Sequence, residues 1–259
     1  SAMAGLKGTN VKRIGHNDLE YLEKTLKETK DQYQTRLVII DGVYSQDGDL
    51  SLLPEIISLC KTHEAMLMLD DAHGIGVMGA NGRGTAEHFN CLGQVDIITG
   101  TFSKSFGCVG GFAAASKKII QYLKFYADSN VFSAAPTPQV TASILKALEI
   151  IKKEPAIRAR LWENTDYLRS RLTTEGFDIG KSVSPIFPIM IRDNKKVYEI
   201  AKMLQEKGIF TIGIVYPAVR TKEARLRVSV LATHEHEQLD ALINALNDIN
   251  KDIKIKKEQ

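Results

Sequence analysis

Short apolar runs that stop at polar, glycine-rich turns, with a helix-patterned stretch between them, constrain this chain more than any other feature. The runs cover residues 37–40, 65–69, 95–98 and 111–115. Runs this short, with little polar alternation, suit buried strands. Between the first two, residues 53–62 carry a helical pattern, with Pro54 in the first turn where its missing N–H removes no bond. Strand, helix, strand predicts a parallel sheet covered on both faces by crossover helices, with ligands bound beyond the carboxyl ends of the strands. A further helix, apolar at Leu19, Leu22 and Leu26, is expected over 18–29.

From Pro138 the pattern changes to long amphipathic helices over 139–153 and 156–175, the second closed by Gly176 in a C-cap position. A strand at 186–191, a helix at 195–207 capped by Gly208, strands at 210–215 and 225–231, and a last helix over 236–249 then predict an α+β unit. We therefore expect a large α/β domain over 1–155 and a smaller α+β domain over 156–259, which a chain of 259 residues can accommodate. Residues 7–16 read as a basic edge strand and turn, His234-Glu235-His236 as the opening of the last helix, and residues 158–171 as solvated helix faces.

Composition narrows the function classes. With 44% hydrophobic and 25% charged residues the chain is neither disordered nor fibrous. Its net charge is +3, and residues 251–259, with four Lys against Asp252 and Glu258, hold +2 of it. The nearly neutral body argues against nucleic acid, which needs clustered Lys and Arg. No apolar run approaches a membrane span and no leader resembles a secretory signal, so a cytoplasmic protein is expected. Cys60, Cys91 and Cys108, odd in number and without C-x-x-C spacing, suit reduced thiols.

Two strand ends carry chemistry. The second run leads into Asp70-Asp71-Ala72-His73-Gly74, two carboxylates and an imidazole that a ligand, a metal or solvent must satisfy if buried. The ligand count argues against zinc, since no other His forms an i,i+4 pair near this turn. The third run leads through Thr99-Gly100 into Thr101-Phe102-Ser103-Lys104-Ser105-Phe106-Gly107. Hydroxyls and turn amides bind phosphate, and a Lys among apolar groups can become a nucleophile. A strand-end Lys with a strand-end Asp is the pair that pyridoxal 5'-phosphate (PLP) requires: a lysine partner and a carboxylate on the ring nitrogen. The overlapping Gly74-Ile75-Gly76-Val77-Met78-Gly79 has dinucleotide-site spacing, but Asn81-Gly82-Arg83-Gly84 follows where that site needs a helix.

Four stretches together resemble the PLP-dependent α-oxoamine synthases of aminotransferase fold type I. They are Asp41-Gly42-Val43-Tyr44-Ser45-Gln46-Asp47-Gly48-Asp49; Leu69-Asp70-Asp71-Ala72-His73-Gly74-Ile75-Gly76; Gly82-Arg83-Gly84 with Asp96-Ile97-Ile98-Thr99-Gly100-Thr101-Phe102-Ser103-Lys104; and Arg225-Leu226-Arg227-Val228-Ser229. The resemblance implies that Lys104 joins the cofactor and moves the substrate α-proton. It implies that Asp70 keeps the ring nitrogen protonated and that His73 and Ser45 bond its phenolic oxygen. Thr101 and Ser103 are implied to hold the phosphate, and Ser133 to reach the partner subunit's phosphate in a homodimer. Arg227 is implied to grip the substrate carboxylate bidentately. Strand alternation alone would instead read Arg225 and Arg227 as a solvated face.

Within that family, Leu161-Trp162-Glu163-Asn164-Thr165-Asp166-Tyr167, Gly176-Phe177-Asp178 and Ser184-Pro185-Ile186-Phe187-Pro188 look closest to bacterial serine palmitoyltransferases of sphingolipid biosynthesis. The implied reaction condenses an amino acid, L-serine, with a long-chain acyl-CoA, releasing CO2 and CoA. Glycine C-acetyltransferase and 8-amino-7-oxononanoate synthase share these motifs, and a fold type I aminotransferase or a non-catalytic homologue stand as further alternatives. Family chains are about half as long again, the difference lying in an amino-terminal third that supplies a His stacked on the cofactor and a Gly-rich phosphate turn. The 259 residues alone are accordingly expected to be a poor enzyme.

Overall fold

The computed structural model describes residues 9–256. The chain divides into two compact units, Ser1–Val43 with Ser51–Lys153, and Tyr44–Leu50 with Glu154–Gln259. The Tyr44–Leu50 segment, which pattern alone places in the first domain, thus belongs with the second unit. Its Gly48 carbonyl accepts from Val183 N at 3.1 Å, and its neighbours bond to a distant arginine described below.

The first unit runs α1 (Leu19–Glu28), β1 (Leu37–Asp41), α2 (Leu53–Thr62), β2 (Met66–Asp70), α3 (Thr85–His88), β3 (Ile97–Thr101), β4 (Gly111–Ala115), α4 (Lys117–Tyr126), α5 (Asp128–Val131) and α6 (Pro138–Lys153). Its sheet has the order β1-β2-β3-β4, parallel across the first three strands, with β4 antiparallel to β3. Alternation along β2 fully buries Leu67 and Leu69 in a cluster with Ile56, Ile57 and Cys60 of α2 and Leu22 and Leu26 of α1. Each such aliphatic side chain contributes about 1.5–3 kcal/mol. Met66 and Met68 are only partly buried, and neither α4 nor α6 buries a residue completely.

Three local differences have identifiable causes. β3 begins two residues later than its apolar run because the Asp96 carboxylate accepts from Leu67 N (2.8 Å), standing in for a ladder partner. It then continues through Thr101, opposite Gly111, where an added Cβ would lie 2.7 Å from the Gly100 carbonyl oxygen. Helix α4 is an element the apolar pattern did not predict; Ser116 caps it by accepting from Ile119 N. Residues 9–16 form no strand, since Ile14 packs on the core while Val11 is exposed, a spacing that fits no sheet face; Lys7 lies outside the described residues.

The second unit contains α7 (Pro155–Thr174), β5 (Ile186–Met190), α8 (Asn194–Glu206), β6 (Ile212–Ile214), β7 (Arg225–Ser229) and α9 (His236–Asp252). Its antiparallel sheet has the order β5-β7-β6, so β7 is central. Phe187, Ile189 and Leu226 pack with Leu168 and Leu172 of α7, Ile200 and Leu204 of α8, and Ile243 and Leu246 of α9. β6 is shorter than its apolar run because Phe210 turns outward, 82% exposed. The basic face of α7 is not simply solvated: Arg169 lies over the Phe187 ring and donates to the Ser182 carbonyl, and Arg171 pairs with Asp240.

Candidate active site

In the first unit, parallel pairing places Asp70 at the end of β2 beside Thr99 of β3. Beyond these strand ends lies a cavity of about 270 Å³ lined by Asp70, Ala72, Thr99, Gly100, Thr101, Ser103 and Lys104. Four of the residues predicted from sequence, Asp70, Thr101, Ser103 and Lys104, thus share one cavity. The Thr101 and Ser103 hydroxyls are 2.8 Å apart, and Ser103 N donates to Thr101 Oγ1 at 3.1 Å. Such a pair of hydroxyls suits an anion. The loop carrying Lys104 is closed by Phe102 N to the Gly110 carbonyl (2.9 Å) and Gly107 N to the Lys104 carbonyl (3.0 Å). Ser105 Oγ donates to the Ile75 carbonyl (2.7 Å), tying this loop to the turn that carries His73.

His73 follows the cavity's Ala72, in a turn held by Gly74 N and Ile75 N donating to the Asp71 carbonyl. It does not itself line the cavity. Ser133 also lies outside it, exposed between α5 and α6, its hydroxyl 3.5 Å from the Ala134 carbonyl. Asp41, at the end of the neighbouring strand β1, is not among the residues that line the cavity. It sits in register with Asp70, and burial, then the Asp70 charge, raise its pKa against the opposing pull of Lys104.

Asp71 corrects an expectation. Ligand, metal or solvent is not what satisfies it: the side chain is buried, and its two oxygens accept from Thr85 N (2.7 Å) and Thr85 Oγ1 (2.6 Å). Burial pushes its pKa up to about 6, against the two Thr85 bonds, with a smaller push from Asp70. Since the folded value lies above that of an unfolded Asp, the stability this group contributes is full below about pH 4 and is lost as pH rises through 6. Urea titrations of Asp71→Asn against wild type should show the variant gaining relative stability from pH 5 to 7.5; a constant difference would contradict this.

In the second unit, Arg225 and Arg227 are not a solvated face. Arg225 is 4% exposed; it pairs with Asp47 and donates to the Glu223 (2.6 Å) and Gln46 (3.3 Å) carbonyls. Arg227 Nε donates to the Ser45 carbonyl (2.6 Å) and Nη1 to Ser229 Oγ (3.1 Å). Burial lowers its pKa, though a guanidinium stays protonated. The structure thus joins Arg227 to the segment carrying Ser45 through the backbone of that segment.

A mainly parallel sheet with a lysine loop and an acid at its strand ends, accompanied by a smaller α+β unit, is the fold of the PLP-dependent transferases of fold type I. The chain belongs to the aminotransferase class I and II family, which matches residues 2–246. It is 42% identical to an 8-amino-7-oxononanoate synthase of Thermoanaerobacter pseudethanolicus over 240 residues, 93% of this chain and 61% of that protein. It is equally 42% identical to a serine palmitoyltransferase of Sphingobacterium spiritivorum over 250 residues, 96% of this chain and 62% of that protein. Among solved structures, an SPT with PLP internal aldimine superposes with TM-score 0.90 at 30% identity, over 95% of this chain and 62% of that one. The chain therefore spans about three fifths of the length of these relatives. Among the described residues, no helix is long and apolar enough to cross a membrane.

Proposed function

We propose that this chain carries the lysine-bearing part of a PLP-dependent C-acyltransferase that condenses an amino acid with an acyl-CoA, releasing CoA and CO2. The observation that carries the reading is the shared cavity of Asp70, Thr101, Ser103 and Lys104. Its side chains fit the cofactor: a carboxylate for the ring nitrogen, hydroxyls for the phosphate, an amine for the aldehyde. When bound, PLP supplies an electron sink for cleaving bonds at the amino acid's α-carbon. Lys104 holds the cofactor and takes and returns the α-proton at its Nζ, while Asp70 keeps the ring nitrogen protonated. Thr101 and Ser103 hold the phosphate, and His73 and Ser45 bond the phenolic oxygen. Arg227 binds the substrate carboxylate, and Ser133, exposed on its loop, is assigned to the neighbouring site of a homodimer.

The substrates are an amino acid, L-serine in the serine palmitoyltransferase-like reading, and a long-chain acyl-CoA, which would put the reaction in the cytoplasm at the start of sphingolipid synthesis. A second reading, 8-amino-7-oxononanoate synthesis, has the same support from identity. Purified protein incubated with PLP should turn yellow. It should then be assayed with serine, glycine and alanine against acyl-CoA of several chain lengths. CoA and CO2 release with serine and long chains supports the first reading, and alanine as the favoured amino acid supports the second. Keto acid formation without CoA release would sink both in favour of an aminotransferase.

A further inference from the structure

The lysine loop between β3 and β4 is closed by its own backbone and placed by a side chain. Three backbone bonds close it: Phe102 N to the Gly110 carbonyl (2.9 Å), Cys108 N to the Phe102 carbonyl (2.7 Å) and Gly107 N to the Lys104 carbonyl (3.0 Å). All three run between loop residues, so they fix the shape of the loop and not where Lys104 sits against the sheet edge. Ser105, the next residue, carries a bond that leaves the loop: its Oγ donates to the Ile75 carbonyl at 2.7 Å. That acceptor is fixed in turn. Ile75 N donates to the Asp71 carbonyl (3.0 Å), Gly76 N to the Gly82 carbonyl (2.8 Å) and Met78 N to the Gly74 carbonyl (2.7 Å), with the Met78 side chain buried. The two segments also meet as closely as a chain allows. Gly76 has φ +81°, and a Cβ there would lie 2.7 Å from both Cβ and Oγ of Ser105, so only glycine admits this approach. An exposed serine could give its hydroxyl to water instead, and needs no such seat merely to be satisfied.

We propose that Ser105 is a positioning residue: by tying the lysine loop to the 74–82 turn it sets Lys104 for its bond to the cofactor aldehyde. The inference rests on the PLP reading above and adds a residue to it. In that bond the Lys104 amine nitrogen joins the aldehyde carbon, whose oxygen leaves as water. A reactive group already held in place gains over one that moves with its loop, because the cost of ordering it is met before the cofactor arrives. The phosphate side of the cavity is held separately. Thr101 lies in β3 opposite Gly111, and Ser103 is tied to Thr101 by contacts of 2.8 and 3.1 Å, so neither depends on Ser105. Asp70 likewise belongs to β2. Loss of the Ser105 hydroxyl therefore reaches the covalent hold on the cofactor and leaves the ring-nitrogen and phosphate contacts alone.

The test is calorimetric binding of two cofactor forms to the full chain, together with urea unfolding of the cofactor-free proteins. PLP carries the aldehyde; pyridoxamine 5'-phosphate shares the ring and phosphate but has an amine in its place and cannot join Lys104. Ser105→Ala should bind PLP about fivefold more weakly than wild type, the worth of one neutral hydrogen bond, and bind pyridoxamine 5'-phosphate equally well. Ser105→Thr, which keeps the hydroxyl, should restore PLP binding, and the unfolding midpoints should stay together. A merely structural role would weaken both forms alike. That result overturns the proposal, as do unchanged PLP affinity in Ser105→Ala, no recovery in Ser105→Thr, or a Ser105→Ala chain that fails to fold. Wild type that does not bind PLP sinks the function reading itself, and this proposal with it; wild type that binds PLP leaves that reading standing whatever Ser105→Ala does.

Discussion

Lys104→Ala is expected to abolish the visible cofactor band and to lower CoA release by about a thousandfold or more. Two contributions are lost together. On the proposed mechanism the amine that joins the cofactor disappears, and so does the proton carrier at the substrate α-carbon, a role that is typically worth about 10²- to 10⁴-fold by itself. Folding should be untouched, because Lys104 is exposed at the cavity mouth and the bonds closing its loop run through backbone atoms and Ser105. Lys104→Arg should be equally inactive: it keeps the charge but not a nucleophilic amine. Circular dichroism and thermal unfolding will separate a chemical loss from a folding one. A yellow Lys104→Ala protein that turns over normally would remove Lys104 from the mechanism.

Asp70 and Lys104 were legible in the sequence because both depend on short-range facts. Each follows an apolar run, and strand-helix-strand order places such ends side by side. Thr101 was legible for the same reason, although it lies in the strand, since Gly111 opposite lets the ladder continue. Asp71 was not separable from Asp70 by pattern. Adjacent residues at a strand end leave on opposite sides, and only Thr85, fourteen positions later, shows which carboxylate is internal. Arg225 and Arg227 were misread by alternation for a similar reason. A half-buried strand has one wet face only if nothing folds over it, and the Tyr44–Leu50 segment, about 180 positions away, supplies the partners of both guanidiniums. No local pattern reports that return of the chain.

Arg225→Met should destabilise the second unit by about 2–3 kcal/mol. Its buried guanidinium makes a charge-assisted pair with Asp47 and donates to two carbonyls. Bonds of this kind contribute about 1.5–3 kcal/mol each when charged. The full sum is not expected, because Asp47 is 44% exposed and water can replace the lost partner. What water cannot replace is the tie between β7 and the Tyr44–Leu50 segment, so that segment should become the first site of protease cleavage in the variant. Arg227→Met gives the contrast. Arg227 is less buried and makes one backbone tie, so its loss should cost about 1 kcal/mol. If it grips the substrate carboxylate, its removal should instead raise the KM for the amino acid with little change in the visible cofactor band. Equal stability losses in the two variants, with early cleavage of 44–50 in neither, would mean that Arg225 does not anchor the segment that carries Ser45. The two arginines of β7 would then have to be assigned the same role, against their different partners and burial.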